Sequence, residues 1–379
     1  MTVDLSHVAL GSWSGGRFMH FGEPLDDQRL SALLRPGDGV STVITADAYG
    51  AGEADRCVGR ALEGLPRDGY RLVGAIGHDF YEGERQGAKG YPRFTDPALR
   101  GPAEYGAYLR MATERSLERC GVDRFDVLLL HNPDRTGFTS TAVWEGMRGL
   151  RDEGLADAVG IAPGPANGYV LDLIGCLDAF GEIIDWGMVI LNPFEPWPVE
   201  LVLPAAERHG VDLITRVADF GGIFHDDVRP GHLFAQADHR GFRPEGWVEQ
   251  GVAKLERVRP IAERHGLTML QLACQWNLAQ QAVRCTVPTL IQEIGEGARP
   301  IEEKRAELAA TPREVVLDAD DLRLVREIGD NTNCMALKGG TPDHDGEALP
   351  DRWGMDGALE EIAARWGIDP SAKLTQQHA

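Results

Sequence analysis

The chain has 379 residues, of which 43% are hydrophobic and 26% are charged, an ordinary balance for a globular protein. Its formal net charge of −21 disfavours nucleic acids and anionic membrane surfaces as partners, because both would repel it. No basic leader with an apolar run opens the chain and no stretch has the length of a membrane span, so the sequence predicts a cytoplasmic protein.

Eight short apolar segments alternate with amphipathic stretches of helical length, the pattern of repeated βα units. The segments are apolar on both faces, as in a parallel sheet covered by helices. In chain order they are 7–13, 42–46, 71–76, 125–131, 156–162, 186–192, 211–217 and 283–289. Eight units predict a (β/α)8 TIM barrel with its active site at the carboxyl ends of the strands. A doubly wound sheet is the alternative, but no G-x-G-x-x-G follows the first segment.

Three stretches are too long to be simple connections: 78–102, 219–250 and the tail from about 331. The first two predict long loops at the barrel mouth. We therefore expect a barrel over residues 1–330 and a C-terminal extension over 331–379, either a lid over the mouth or partly disordered. Met335, Leu349 and Trp353 in the tail favour an ordered lid.

Five stretches together resemble the aldo-keto reductases, in the same order, across about residues 5–330. They are "TADAYGAGEADRCVGRAL", "SLERCGVDRFDVLLLHNPD", "GMRGLRDEGLADAVGIA", "GVDLITRVADFGG" and "LTMLQLACQWNLAQQAV". The resemblance implies a catalytic group made of an acid on strand 2, a tyrosine five residues later, a lysine ending strand 3 and a histidine ending strand 4. The tyrosine would donate a proton to a substrate carbonyl, and a neighbouring cation would lower its pKa.

This chain departs from that pattern at half of the catalytic group. Tyr49 and His131 match the tyrosine and the histidine. Ile44 stands at the position of the acid, and Gly77, followed by His78, stands at the position of the lysine.

The positions that the resemblance assigns to the cofactor differ as well. Ala162 and Pro163 replace a Ser-Asn pair that holds the nicotinamide, and Met188 lies where strand 6 should offer a glutamine. After strand 8 the chain reads "VPTLIQEIGEGARP", which is acidic where the family binds the 2′-phosphate of NADP(H). From these differences the sequence predicts an enzyme with no cofactor, with NADPH as the alternative.

The strand ends still carry polar and aromatic residues that a barrel would bring to one mouth. We predict Tyr49, His131 and His78 as catalytic residues. The predicted substrate-binding residues are Arg216, Glu195, Asn132, Asp47, Trp13, Trp197 and Asp219. Each also has a purely structural interpretation, as a packed aromatic ring or a solvated turn residue. A tyrosine, a histidine and an arginine beside one substrate carbon would suit proton abstraction next to a carbonyl.

The sequence therefore favours a nicotinamide-independent lyase, dehydratase or isomerase acting on a hydroxy-carbonyl compound, such as a sugar or a biosynthetic intermediate. One alternative is a divergent NADP(H)-dependent reductase whose cation comes from Lys338 or His78. Another is a non-catalytic binding subunit. The expected partner is a small molecule, and a homo-oligomer is left open.

Metal binding is a further alternative that the spacing does little to support. His78, His131, Glu195 and Asp219 would be the ligands of a divalent ion, but no H-E-x-x-H or H-x-H motif occurs, so no metal site is predicted. Six dispersed cysteines, at positions 57, 120, 176, 274, 285 and 334, form no C-x-x-C pair and favour reduced thiols.

Overall fold

The computed structural model of the protein describes residues 3–87, 90–235, 237–331 and 335–375. Eight parallel strands pair in chain order, and a bridge between Val8 and Thr286 joins the last strand to the first. The strands are β1 (Ala9–Gly11), β2 (Thr42–Ile44), β3 (Arg71–Ile76), β4 (Phe125–His131), β5 (Ala156–Ala162), β6 (Trp186–Ile190), β7 (Asp212–Arg216) and β8 (Val283–Val287). The predicted (β/α)8 barrel is confirmed.

Helices cover the outside of the barrel, which is why the strands are apolar on both faces. They are α1 (Asp27–Leu34), α2 (Glu53–Leu62), α3 (Tyr105–Cys120), α4 (Arg135–Thr139), α5 (Thr141–Asp152), α6 (Val170–Phe180), α7 (Leu203–His209), α8 (Trp247–His265), α9 (Met269–Leu278), α10 (Ile301–Ala309), α11 (Ala319–Gly329), α12 (Gly357–Trp366) and α13 (Pro370–Lys373). No helix in the described part of the chain is long and apolar enough to cross a bilayer.

Local sequence signals fix several element ends. Gly121 ends α3 in the left-handed conformation (φ 68°), which glycine adopts without a steric penalty. At the start of α9, Thr268 and Gln271 form a reciprocal capping box. The predicted bounds of β3, β4 and β5 match the structure, whereas the other five strands are shorter than predicted. At their carboxyl ends the residues beyond these strands form loops of the mouth.

The C-terminal extension packs against α6 and the loop that precedes it. Lys338 accepts a hydrogen bond from the backbone amide of Tyr169 and donates one to the carbonyl of Asn167. Further along, Asp172 of α6 accepts hydrogen bonds from the Gly340 amide and from the indole of Trp353, both at 2.8 Å. Through these contacts the extension fixes the 163–169 loop beside the mouth. Cys334 lies outside the described residues.

Candidate active site

The backbone at the end of β3 leaves no room for a side chain at Gly77, the position at which the resemblance implies a lysine. Gly77 has φ 152°, and a Cβ added to it would lie 2.7 Å from the carbonyl oxygen of His131. A side chain at this position would therefore displace the end of β4. Ile44 is fully buried and belongs to the apolar cluster inside the barrel. The positions that the resemblance assigns to the acid and the lysine thus carry an apolar side chain, Ile44, and a close backbone contact at Gly77.

Tyr49, His131 and Trp13 lie together at the mouth. The rings of Tyr49 and His131 meet edge to face with centroids 5.6 Å apart, and Trp13 meets Tyr49 in the same way at 6.5 Å. Burial raises the pKa of Tyr49, and the charge of Arg216 acts in the opposite direction. Burial, together with the neighbouring charges of His78, Arg216 and Arg93, lowers the pKa of His131, so its imidazole is neutral.

His78 also lies in this cluster, with its ring centroid 5.2 Å from that of His131. Its Nδ1 lies 3.1 Å from both the carbonyl oxygen of Tyr91 and Nη1 of Arg93. Nε2 in turn faces the side-chain amide of Asn132 at 3.1 Å. Burial and the charge of Arg93 lower the pKa of His78 to about 3. A neutral His78 therefore does not replace the cation of the missing lysine.

Two arginines supply positive charge instead. Arg216, the last residue of β7, donates from Nη2 to the carbonyl oxygens of Pro163 (2.7 Å) and Gly164 (2.6 Å). Arg93, from the loop after β3, donates to His78 and to the carbonyl oxygen of Asn132. Lys338, the other predicted source of a cation, forms an ion pair with Asp351.

Three non-glycine residues next to these groups have left-handed backbone conformations: Asn132 (φ 47°), Tyr169 (φ 56°) and Val217 (φ 57°). For a β-branched or bulky residue this conformation is a true outlier and is costly. Such strain is concentrated where a site requires a particular side-chain direction. Tyr169 and Val217, after β5 and β7, are outliers of this kind, whereas Asn132, after β4, is of a residue type that adopts the conformation readily.

Tyr169 is a site residue that the sequence did not reveal. It is buried, and a Cβ added to Gly164 would lie 2.5 Å from its hydroxyl oxygen. The hydroxyl therefore lies over Gly164, whose carbonyl accepts from Arg216. The charges of Arg93 and Arg216 both act on Tyr169, although burial still raises its pKa. In the sequence, the only signal for Tyr169 is that it follows the end of β5 by a few residues. Its position in the structure depends on the hydrogen bond to Lys338, which is far away in the sequence.

Three residues predicted to bind substrate are engaged in structural contacts. Glu195 accepts two hydrogen bonds from Arg243, at 3.0 and 3.2 Å. Asp219 accepts from the backbone amides of Gly222 (2.8 Å) and Thr289 (2.7 Å) and so joins the loops after β7 and β8. Trp197 packs against Leu337 of the extension. We leave these three residues out of the candidate site.

Asp47 also lies away from the mouth group. It is fully buried, and the charged groups that act on it are Asp55, Arg119 and Asp79. Burial and the charge of Asp55 raise its pKa well above the usual value. Both of its oxygens are without a hydrogen-bond partner among the described residues. It is therefore also left out of the candidate site.

A divalent metal finds no ready ligand set among the described residues, where no three His, Cys, Asp or Glu side chains gather closely enough. Of the four ligands considered from the sequence, Glu195 and Asp219 are held by the contacts described above. His78 and His131 are adjacent, but they are neutral groups without a carboxylate between them.

The residues at the nicotinamide and phosphate positions do not fit NADP(H) in the way that the resemblance implies. Arg216 already binds the carbonyls of Pro163 and Gly164, where the nicotinamide contacts were expected. In the described parts of the loops after β7 (217–246) and β8 (288–300), each arginine pairs with a carboxylate: Arg229 with Asp226, Arg240 with Asp238 and Glu293, Arg243 with Glu195 and Arg299 with Glu307. The 2′-phosphate would thus meet no unpaired arginine in the two mouth loops.

Comparison with known proteins identifies similar chains and folds. The family model for the aldo/keto reductase family matches residues 8–328. A probable voltage-gated potassium channel subunit beta from Arabidopsis thaliana is 26% identical over 309 residues, which cover 76% of this chain and 87% of that protein. A glycerol dehydrogenase from Gluconobacter oxydans has a similar structure, with a TM-score of 0.65 and 23% identity over 86% of this chain and 91% of that one.

A third similar protein bears on the cofactor. An aldo-keto reductase from Klebsiella pneumoniae, solved in complex with NADPH, has a TM-score of 0.56 and 20% identity, with 88% of this chain and 95% of that one covered. The prediction of an enzyme with no cofactor is wrong on this comparison. It treated altered contact residues as proof that the cofactor was lost, although the shared barrel is found with NADPH bound. Cofactor-free lyase or isomerase chemistry has no support from these relatives.

Proposed function

Because the chain belongs to the aldo/keto reductase family, we propose that it is an oxidoreductase that interconverts a carbonyl and a hydroxyl group on a small molecule with a nicotinamide cofactor. The cofactor would supply or accept a hydride. The family match and the NADPH complex of the similar Klebsiella protein support this proposal. The contacts that hold the cofactor would differ from the family's pattern at Pro163 and at Glu293.

Tyr49 would transfer the proton. Its ring lies against His131, and Arg216 is the cation whose charge acts on its phenol. The charge of Arg216 opposes the effect of burial, which still leaves the pKa of Tyr49 raised. The observation that carries the proposal is the edge-to-face contact of Tyr49 with the buried, neutral His131, with ring centroids 5.6 Å apart at the mouth of the barrel.

The other residues of the group would position the substrate oxygen. His131 is neutral and buried, so it is able to donate a hydrogen bond to the oxygen without adding a charge. Trp13 would form one wall of the pocket, since it packs edge to face against Tyr49. His78 and Asn132 would hold Arg93 in place.

The test is turnover of a panel of aldehydes and ketones with NADH and with NADPH, followed by the absorbance of the reduced nicotinamide. Tyr49→Phe should lower turnover by about 10²-fold or more, the usual effect of removing a positioned acid. Arg216→Lys, which keeps a charge, should lose less than Arg216→Met. Failure of both coenzymes to bind at millimolar concentration would refute the proposal.

The similar protein from Arabidopsis is named as a probable channel subunit, and a non-catalytic binding subunit is the second candidate. The replacement of the acid and the lysine by Ile44 and Gly77 favours it. The strained backbone at Val217, the residue after Arg216, argues for a working site, because such strain in a β-branched residue is costly and clusters at functional sites. Coenzyme binding without turnover of any carbonyl compound would decide for the second candidate.

A further inference from the structure

Arg93 and Arg216 differ from the well-buried arginines of this protein. Arg100, Arg240 and Arg243 are each at most 9% exposed, and each forms an ion pair with a carboxylate. No carboxylate of the described residues lies within 4.0 Å of Arg93 or Arg216, although the chain carries a net charge of −21. Two partly buried guanidinium groups thus lack anionic partners in a protein rich in them.

The two guanidinium groups, from the end of β7 and the loop after β3, donate to the backbone at two neighbouring strand ends. Arg93 donates to the carbonyl of Asn132, which follows β4, and Arg216 donates to the carbonyl of Pro163, which follows β5. These two ends are joined, because the amide of Asn132 donates to Ala162 at 2.7 Å. The hydroxyl of Tyr169, over Gly164, lies beside Arg216.

Each group also keeps donors that the protein does not use. Nε of Arg216 is buried and has no hydrogen-bond partner within the described part of the chain. Among the described residues, Arg216 donates hydrogen bonds only from Nη2, and Arg93 donates only from Nε and Nη1. A buried N–H without an acceptor is costly, and a site that retains one is suited to a ligand that accepts from it.

We propose that Arg93 and Arg216, with the hydroxyl of Tyr169, bind a carboxylate group of the substrate, so that the enzyme acts on small oxo or hydroxy acids. The proposal rests on the proposed oxidoreductase function and names its substrate class. Guanidinium groups bind carboxylates through paired, planar hydrogen bonds. Tyr49 and His131 would then face the carbonyl or hydroxyl carbon next to the bound acid, since Arg93 is 3.1 Å from His78, whose ring packs against His131, which in turn packs against Tyr49.

The charge of the surroundings favours a singly charged group over a phosphate. The negative charges of Asp134 and Asp351 act on the pKa of Arg93, and those of Asp351 and Asp172 act on the pKa of Tyr169. Asp351 is paired with Lys338, and Asp134 accepts from Thr95 and the amide of Gly137. With these carboxylates near, a dianionic phosphate would meet more repulsion than a carboxylate would.

The test uses pyruvate and pyruvamide, two probes of nearly equal shape that differ in charge. Calorimetry should show pyruvate binding at least about 10-fold more tightly than pyruvamide, the effect of one charge-assisted hydrogen bond. Arg93→Met and Arg216→Met should each remove most of this preference. Arg257→Met, at an exposed arginine of α8, is the matched control and should keep it.

Equal binding of pyruvate and pyruvamide by the unaltered protein would overturn the carboxylate site, and so would tighter binding of phosphoenolpyruvate than of pyruvate. Neither result depends on whether a variant folds. If neutral ketones are reduced while pyruvate shows no preference, the carboxylate site fails and the oxidoreductase stands. If pyruvate is preferred while no carbonyl compound is turned over, the site stands and the oxidoreductase fails.

Discussion

Replacing Asp172 by asparagine should release the C-terminal extension from α6. Asp172 is 4% exposed and accepts from the Gly340 amide and the Trp353 indole, both at 2.8 Å. In Asp172→Asn one oxygen remains as an acceptor, while the new NH2 group faces the other donor. The lost bond to a charged group is worth about 1.5–3 kcal/mol, and weakening of the second adds about 1 kcal/mol. We expect a loss of about 2–4 kcal/mol in docking free energy.

Two measurements would detect this loss. Hydrogen exchange at the Gly340 amide should become at least about 30-fold faster, which corresponds to about 2 kcal/mol of local opening. Urea unfolding monitored by circular dichroism should show how much of the loss reaches the whole barrel. Glu360→Gln removes an exposed carboxylate of α12 and is the control. Unchanged exchange at Gly340 in Asp172→Asn would refute the reasoning, because the extension would then be held by other contacts.

Three further expectations follow from the site. Burial lowers the pKa of His78 from 6.5 to about 3 in the folded protein, so the free energy of unfolding should fall as the pH falls from 6.5 towards 3. Urea unfolding at several pH values should show that this free energy changes with pH by about 1.4 kcal/mol per unit less in His78→Gln than in the unaltered protein. An identical pH dependence in both proteins would contradict this. Calorimetry should show NADH binding at least about 10-fold more tightly than NADPH, because Arg240 and Arg299 are already paired, and equal affinity would argue against it. In Gly77→Ala, urea unfolding should show a loss of about 1–3 kcal/mol from the clash with the carbonyl of His131, and wild-type stability would mean that β4 shifts freely.

The fold was predictable because strand and helix patterns are local. The bounds of β4 and its final His131 were predicted correctly, since an unbroken apolar run ends there in a polar residue. Side-chain partners were not predictable in the same way. Glu195 and Asp219 follow strand ends, as site residues do, yet Arg243 and the Thr289 amide bind them. Such contacts join residues that are far apart in sequence, so the strand pattern does not reveal them.

The cofactor prediction failed for a related reason. The sequence showed which contact residues had changed, but not what took their place. Arg216 was predicted to bind substrate from its place at the end of β7, whereas its hydrogen bonds to the Pro163 and Gly164 carbonyls become visible only in three dimensions. Tyr169 and the lack of a carboxylate partner for Arg93 were hidden in the same way.

The bridge between Gly168 and Lys338 has a consequence for the order in which the protein matures. The two residues are separated by 170 positions, and the ribosome makes Lys338 only after all eight strands of the barrel. The strands of the barrel are able to form before that point, since each pairs with its neighbour in sequence. The left-handed turn at Tyr169 forms its backbone hydrogen bond to Lys338 only after that residue has been made. A newly made chain would thus form the barrel first and the 163–169 loop of the candidate site last. A chain that ends before Lys338 would form the barrel but not this part of the site.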